Sequence, residues 1–155
     1  MAIPGRNAHQ IRQTPAQEPI EMSHQPVILV IDDEPSILEL LQLILVRQDY
    51  AVKTAVSGKD GLCKFKAHAP DLVITDMAMP EIDGNQVAAY IKSASRASIP
   101  VIGITGDPDK IVFKNLDVVL FKPFKPVNLI HHIDRLLEQY GLFQPVRSGV
   151  RALHR

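Results

Sequence analysis

The chain has no tryptophan and one cysteine, and only 5% of its residues are aromatic. A single thiol, Cys63, leaves no disulfide framework and no cysteine-rich zinc site, and it suits a reducing compartment. No apolar run approaches the roughly 18 residues needed to cross a bilayer. Pro4 and Gly5 fall where a signal peptide would carry its apolar stretch, so a cytoplasmic protein, neither exported nor inserted, is expected. Charge of one sign is also lacking: 17 basic residues balance 17 acidic ones, leaving no overall electrostatic footprint for nucleic acid or an anionic membrane. No glycine-rich phosphate loop, Ser–His–Asp order or zinc spacing occurs, which removes the hydrolases built on those motifs. What remains is 155 residues, 46% hydrophobic and 22% charged, enough for one domain with a core that needs no disulfide or structural metal.

Residues 1–25 mix Gln, Pro, His and a few charges without a period, which predicts a flexible leader. From Pro26 short apolar runs alternate with helix-period segments. Val27 to Ile31 is apolar throughout, as in a strand covered on both faces. Pro35 suits a first helical turn, and Ser36 to Gln48 carries Ile37, Leu38, Leu41, Ile44 and Leu45 on one face. The mixed run Ala51 to Ala55 fits an edge strand. Ser57 can cap a second helix whose apolar side includes Leu62, Cys63 and Phe65. Leu72 to Thr75 and Val101 to Ile104 are the third and fourth strands, with a helix over Asn85 to Ser95 between them, and Asp107-Pro108 can open a short helix. Val118 to Phe121 is the fifth strand, and Pro126 opens a last helix containing Val127, Leu129, Ile130, Ile133, Leu136 and Leu137. Strand–helix repeats with short connections specify an open parallel sheet with helices on both faces. Residues 141–155 form a basic tail too short for a separate DNA-binding domain.

In such a sheet, functional groups gather beyond the carboxyl ends of the strands, where the strand order reverses. Asp32 and Asp33 close the first run, Asp76 the third, Thr105 the fourth and Lys122 the fifth. One acid after an apolar run is ordinarily a cap or a turn former. Caps, however, do not require a hydroxyl and a lysine to complete a set. Three clustered carboxylates raise one another's pKa unless a cation neutralises them, and magnesium suits an oxygen-only site that must leave room for phosphate oxygens. Consecutive strand residues point to opposite faces, so Asp32 and Asp33 can both serve only where the strand turns, Asp33 directly and Asp32 partly through water. A carboxylate beside that cation can attack phosphorus and become an aspartyl phosphate. Asp76 is the expected nucleophile, with Lys122 and Thr105 neutralising the transferred oxygens. Lys122-Pro123 is a candidate cis bond that would aim the lysine inward.

The stretches VILVIDDEPSIL, DLVITDMAMPEIDG, PVIGITGD and FKPF, in that order over residues 26–140, resemble the receiver domain of two-component response regulators. That resemblance implies a (βα)5 flavodoxin-like, doubly wound sheet in strand order 2-1-3-4-5. It also implies Mg2+ at the acidic cluster and phosphate taken from a histidine kinase or histidine phosphotransfer protein. Asp32 and Asp33 match the family's acidic pair, Asp76 its phosphorylated aspartate, Thr105 its switch hydroxyl and Lys122 its lysine; the backbone carbonyl of Ala78 joins the metal ligands. A receiver with no attached effector is expected, passing its signal to an unknown protein target.

Two features depart from the family pattern. Val119 stands where an aromatic usually lies three residues before the lysine, and only Asp107 to Leu116 separate Gly106 from Asp117, so the fourth helix must be short or irregular. Ala78 offers nothing to orient water on an acyl phosphate, whereas Asp107 has a carboxylate; slow to moderate loss of phosphate is expected. Two rivals stand beside this reading. One is a degenerate scaffold that is never phosphorylated. The other is a magnesium phosphatase like the haloacid-dehalogenase enzymes, which use a second acid two residues after the nucleophile, where this chain has Ala78. Core packing is the plain reading of Cys63 and of most of the apolar first helix, whose remaining surface is a candidate kinase-docking face. His131 and His132 read as surface residues, and Glu34 as an acid favourable in a first helical turn.

Overall fold

The computed structural model describes residues 24–94 and 98–142. The predicted leader and tail therefore lie outside the described residues, apart from positions 24–25 and 141–142. Five strands, β1 (Val27–Ile31), β2 (Ala51–Ala55), β3 (Leu72–Asp76), β4 (Val101–Thr105) and β5 (Val118–Phe121), form one parallel sheet in the order β2-β1-β3-β4-β5. Among the described residues four α-helices connect or follow them: α1 (Pro35–Val46), α2 (Gly58–His68), α3 (Gly84–Ala94) and α4 (Pro126–Gln139). The crossover from β4 to β5 contains only two 3-10 turns, Pro108–Lys110 and Phe113–Asn115. The expectation of a short or irregular element there is met.

Strand alternation splits the core between the two faces of the sheet. Ile28, Val30, Leu72, Ile74, Ile102, Ile104 and Leu120 face Leu38, Leu41 and Leu45 of α1 and Leu129, Ile133, Leu136 and Leu137 of α4. On the other face Leu29, Ile31, Val73 and Val101 meet Phe65 of α2 and Val87, Ala88 and Ile91 of α3. Each such side chain, fully buried, contributes about 1.5–3 kcal/mol of transfer free energy. Central β3 and β4 are buried along their whole length, while edge strands β2 and β5 are partly exposed. This explains why the polar residues of Ala51–Ala55 are tolerated.

Helix starts follow local chemistry. Ser57 accepts the Asp60 N–H at 3.0 Å to cap α2. Asp83 and Gln86 cap α3 reciprocally: each side chain accepts the other's backbone N–H, at 2.9 and 3.0 Å. Pro35 occupies the first turn of α1, as expected, but Glu34 precedes the helix as its N-cap residue rather than lying in the first turn. Just past the end of α4 and its C-cap Tyr140, Gly141 has a φ of 68° that lets Leu142 N–H return to Leu137 O at 2.8 Å. A second sequence expectation also fails: Cys63 is exposed. The buried positions of α2 are Gly58, Gly61 and Phe65, and Cys63, two residues before Phe65, falls on the opposite side of a 3.6-residue helix. Val127, grouped with the apolar residues of the last helix, is 59% exposed in its first turn.

The amino-terminal edge of the sheet is pinned by two aspartates in equivalent places. Asp71, just before β3, accepts the first N–H of β1, Val27, at 2.7 Å and also contacts His24 at 2.9 Å. Asp117, just before β5, accepts the first N–H of β4, Val101, at 2.7 Å. It also receives Lys92 of α3 at 2.7 Å and the Tyr140 hydroxyl at 2.6 Å.

Candidate functional site

At the opposite edge of the sheet β1 and β3 lie side by side, and the chain turns outward from them in both directions. Loops after these strands leave a crevice between them. The β1 strand ends at Ile31, and Asp32 keeps one more parallel bond, its N–H donating to Ala55 O at 3.1 Å. Asp33 then follows in a bend, exposed. Because the strand has ended, the two neighbours need not point apart: carboxylate oxygens of Asp32, Asp33 and Asp76 all lie within 4.8 Å of one another.

Asp32 and Asp76 are buried, 2% and 6% exposed. Burial pushes the Asp32 carboxyl up from 3.8 to about 6, with the Asp76 and Asp33 charges adding to the rise, while the Glu34 backbone N–H at 2.8 Å and Lys122 oppose it. Burial likewise raises Asp76; Lys122 opposes the rise and Asp33 adds to it. The ammonium of Lys122 stands 3.4 Å from Asp76 Oδ1 and 3.9 Å from Asp32 Oδ2. One lysine thus faces three carboxylates, leaving a net negative, oxygen-only donor set. That set fits a small hard dication.

Lys122 reaches the cluster from the end of β5, where its own N–H bonds Thr105 O at 2.8 Å and the following Lys122-Pro123 bond is cis. Thr105 closes β4 one residue beyond Ile104, which pairs in register with Asp76. Its buried hydroxyl is engaged with Asp107, donating to the carbonyl and accepting the N–H, both at 3.0 Å. The structure therefore gathers Asp32, Asp33, Asp76 and Lys122, and sets Thr105 on the adjoining strand end with its hydroxyl turned to the next loop. Ala78 is exposed two residues past Asp76.

Two contributors escaped the sequence reading. Gly84 donates its N–H to Met77 O at 3.3 Å, and an added Cβ would come within 2.4 Å of Asp76 O, so the start of α3 lies directly on the backbone that presents Asp76. By residue type alone, Asp83-Gly84 is only a turn before a helix. Asn85, next in the chain, carried no signal at all: a single amide in a first helical turn is unremarkable until its partners are seen.

The model of the response regulator receiver domain matches residues 28–134. The transcriptional regulatory protein GlrR of Escherichia coli is 40% identical over 124 residues, covering 76% of this chain but 28% of that protein. The alkaline phosphatase synthesis transcriptional regulatory protein PhoP of Bacillus subtilis is 32% identical over 76% of this chain and 51% of its own length. The chain thus spans between about a quarter and a half of these relatives. Among solved structures, a response regulator receiver domain protein from Clostridium thermocellum superposes with a TM-score of 0.71 at 32% identity, covering 77% of this chain and 99% of that one. The response regulator TrrA of Thermotoga maritima, in complex with Mg(2+)-BeF, gives 0.68 at 34% identity, over 73% and 100% of the two chains. Sheet order, acidic crevice and sequence similarity converge, and the chain belongs to the response regulator receiver domain family.

Proposed function

We propose that this domain is a phosphorylation switch in which Asp76 accepts a phosphoryl group from a histidine kinase or histidine phosphotransfer protein and the phosphorylated form changes its affinity for another protein. The observation that carries this reading is the placement of a buried carboxylate, Asp76, 3.4 Å from a lysine ammonium and with an oxygen within 4.8 Å of oxygens on two further acids. Asp32, Asp33, Asp76 and the carbonyl of Ala78 would hold Mg2+, which when bound neutralises the acids and coordinates phosphoryl oxygens.

An oxygen of Asp76 attacks phosphorus; a P–O bond forms as the P–N bond to the donor imidazole breaks, and the electron pair returns to the ring nitrogen. Lys122 balances charge on the transferred oxygens, and Thr105 supplies one hydroxyl donor to them. The product carries up to two negative charges beside groups that can follow it. Hydrolysis of that product calls for a positioned water. The Asp107 carboxylate is committed elsewhere, accepting Asp109 N–H at 3.1 Å and pairing with Lys110 at 3.4 Å, and Ala78 has no polar side chain. Both features support a phosphoprotein lasting minutes rather than seconds. The lack of a second acid at Ala78 also disfavours a turnover phosphatase.

Incubation with Mg2+ and acetyl phosphate followed by intact-mass measurement tests the reading. The expected result is one phosphoryl adduct on the wild type and none on Asp76→Asn. An adduct that persists in the variant, or none on the wild type with any donor, would overturn it.

A further inference from the structure

The β4–β5 crossover has little to hold it in place. Its two 3-10 turns are too short to bury an apolar face of their own, and Val112 and Phe113 at its centre are 51% and 60% exposed. Its far end is seated: Leu116 lies against Gly103, where an added Cβ would come within 3.0 Å of the leucine, and Asp117 N–H bonds Val101 O at 2.9 Å. Its near end is tied to Thr105 through Asp107. Among the described residues one side chain from another element hydrogen-bonds its centre. The Nδ2 of Asn85 donates to Lys110 O at 2.8 Å, and its Oδ1 accepts the Val112 N–H at 2.9 Å. The amide thus substitutes for a neighbouring strand at two backbone positions that flank Ile111.

Asn85 is not remote from Asp76. It follows Gly84, which rests on the Asp76 carbonyl and bonds Met77. On the other side Met77 N–H bonds Ile104 O at 2.9 Å, one residue before Thr105. Asp76, Gly84, Asn85, the crossover, Asp107 and Thr105 therefore form a closed mechanical ring. A change at one member must be absorbed at another.

We propose that Asn85 is a positioning residue that latches the crossover to α3 in the unphosphorylated protein, and that phosphorylation opens this latch through Thr105. The inference rests on the reading of Asp76 as the acceptor. A Thr hydroxyl has one proton to donate, and a phosphoryl oxygen is a charged acceptor whose hydrogen bonds are roughly twice as strong as those of a neutral carbonyl. When Thr105 donates to the phosphoryl group it withdraws from Asp107 O, and the near end of the crossover loses its tie. The two neutral, exposed bonds of Asn85 are then left to resist alone. The stretch Lys110–Phe113 shifts off α3 and presents a different surface.

Amide exchange at Val112, followed by NMR in the full chain with phosphoryl occupancy measured by intact mass in the same samples, tests the proposal. In the unphosphorylated wild type this amide is protected, and phosphorylation accelerates its exchange by about tenfold or more. Asn85→Ala shows the fast rate from the start with no further change on phosphorylation. Asn85→Asp, which retains an acceptor for the Val112 N–H, regains protection. Thr105→Val, which lacks the tie to Asp107 before and after phosphorylation, shows the fast rate from the start and no further change on phosphorylation. A stoichiometric adduct with unchanged Val112 exchange in the wild type overturns the latch and leaves the acceptor reading intact. Absence of any adduct overturns both.

Discussion

At the scale of single residues, this crevice is an arrangement of charges that the fold alone would disfavour. Three carboxylates share space with one ammonium, and burial raises both Asp32 and Asp76 above the ordinary carboxylate range. Lys122 is the one basic group within salt-bridge distance of that trio among the described residues. Its removal should therefore act on transfer and on stability together. Lys122→Ala is expected to slow the initial rate of adduct formation from acetyl phosphate on the order of 10²-fold, as loss of one preorganised cationic partner does, and to lower the thermal midpoint at neutral pH, because two buried acids lose the charge that favours their ionised form. An unchanged rate would mean that the lysine balances charge at rest without assisting transfer. Most of this site was legible in the chain because each member ends an apolar run, and a parallel sheet brings such ends to one edge. What was not legible is what the side chains touch. Nothing in the order of residues says that the Thr105 hydroxyl faces Asp107, or that Gly84 lies against a carbonyl.

At the scale of elements, all five strands were legible, with three matching residue for residue and β3 and β4 extending one residue further. Long apolar runs bounded by Gly, Pro and Asp leave few alternatives. The misplacement of Cys63 came from treating α2 as a broad apolar face, when two glycines, Gly58 and Gly61, carry its close approach to Ile82 and Ile31. The network at Asp117 joins α3, α4, β4 and β5, and it makes a prediction in acid. Burial works against ionisation of Asp117, but hydrogen bonds from Lys92, Tyr140 and the Val101 N–H outweigh it and lower its pKa from 3.8. A depressed native value means the unfolded chain binds more protons, so this contribution is complete above the unfolded value of about 4 and is lost as pH falls through the native one. Asp117→Asn should cost about 1–3 kcal/mol at neutral pH. Its denaturation midpoint should also fall less steeply than the wild type's below about pH 4. Parallel curves for the two proteins would assign the acid sensitivity to other carboxylates.

At the scale of the whole molecule, the two core layers are independent of the acidic crevice, so the metal-free domain is expected to fold and then to gain stability from its ion. With Mg2+ at a hundredfold excess over its dissociation constant the gain is about 2.7 kcal/mol. Differential scanning calorimetry should show a rise of several degrees that shrinks in Asp33→Asn; an equal rise in both proteins would place the ion elsewhere. The paired aspartates beneath the sheet carry a wider implication. Asp71 and Asp117 fasten the first amides of β1 and β4, whereas the far rim is loaded with like charges and ends in an irregular crossover. The base of the sheet is thus fastened by side chains as well as by its backbone ladder. The amides of Val27 and Val101 should accordingly exchange only by global unfolding, in either phosphorylation state.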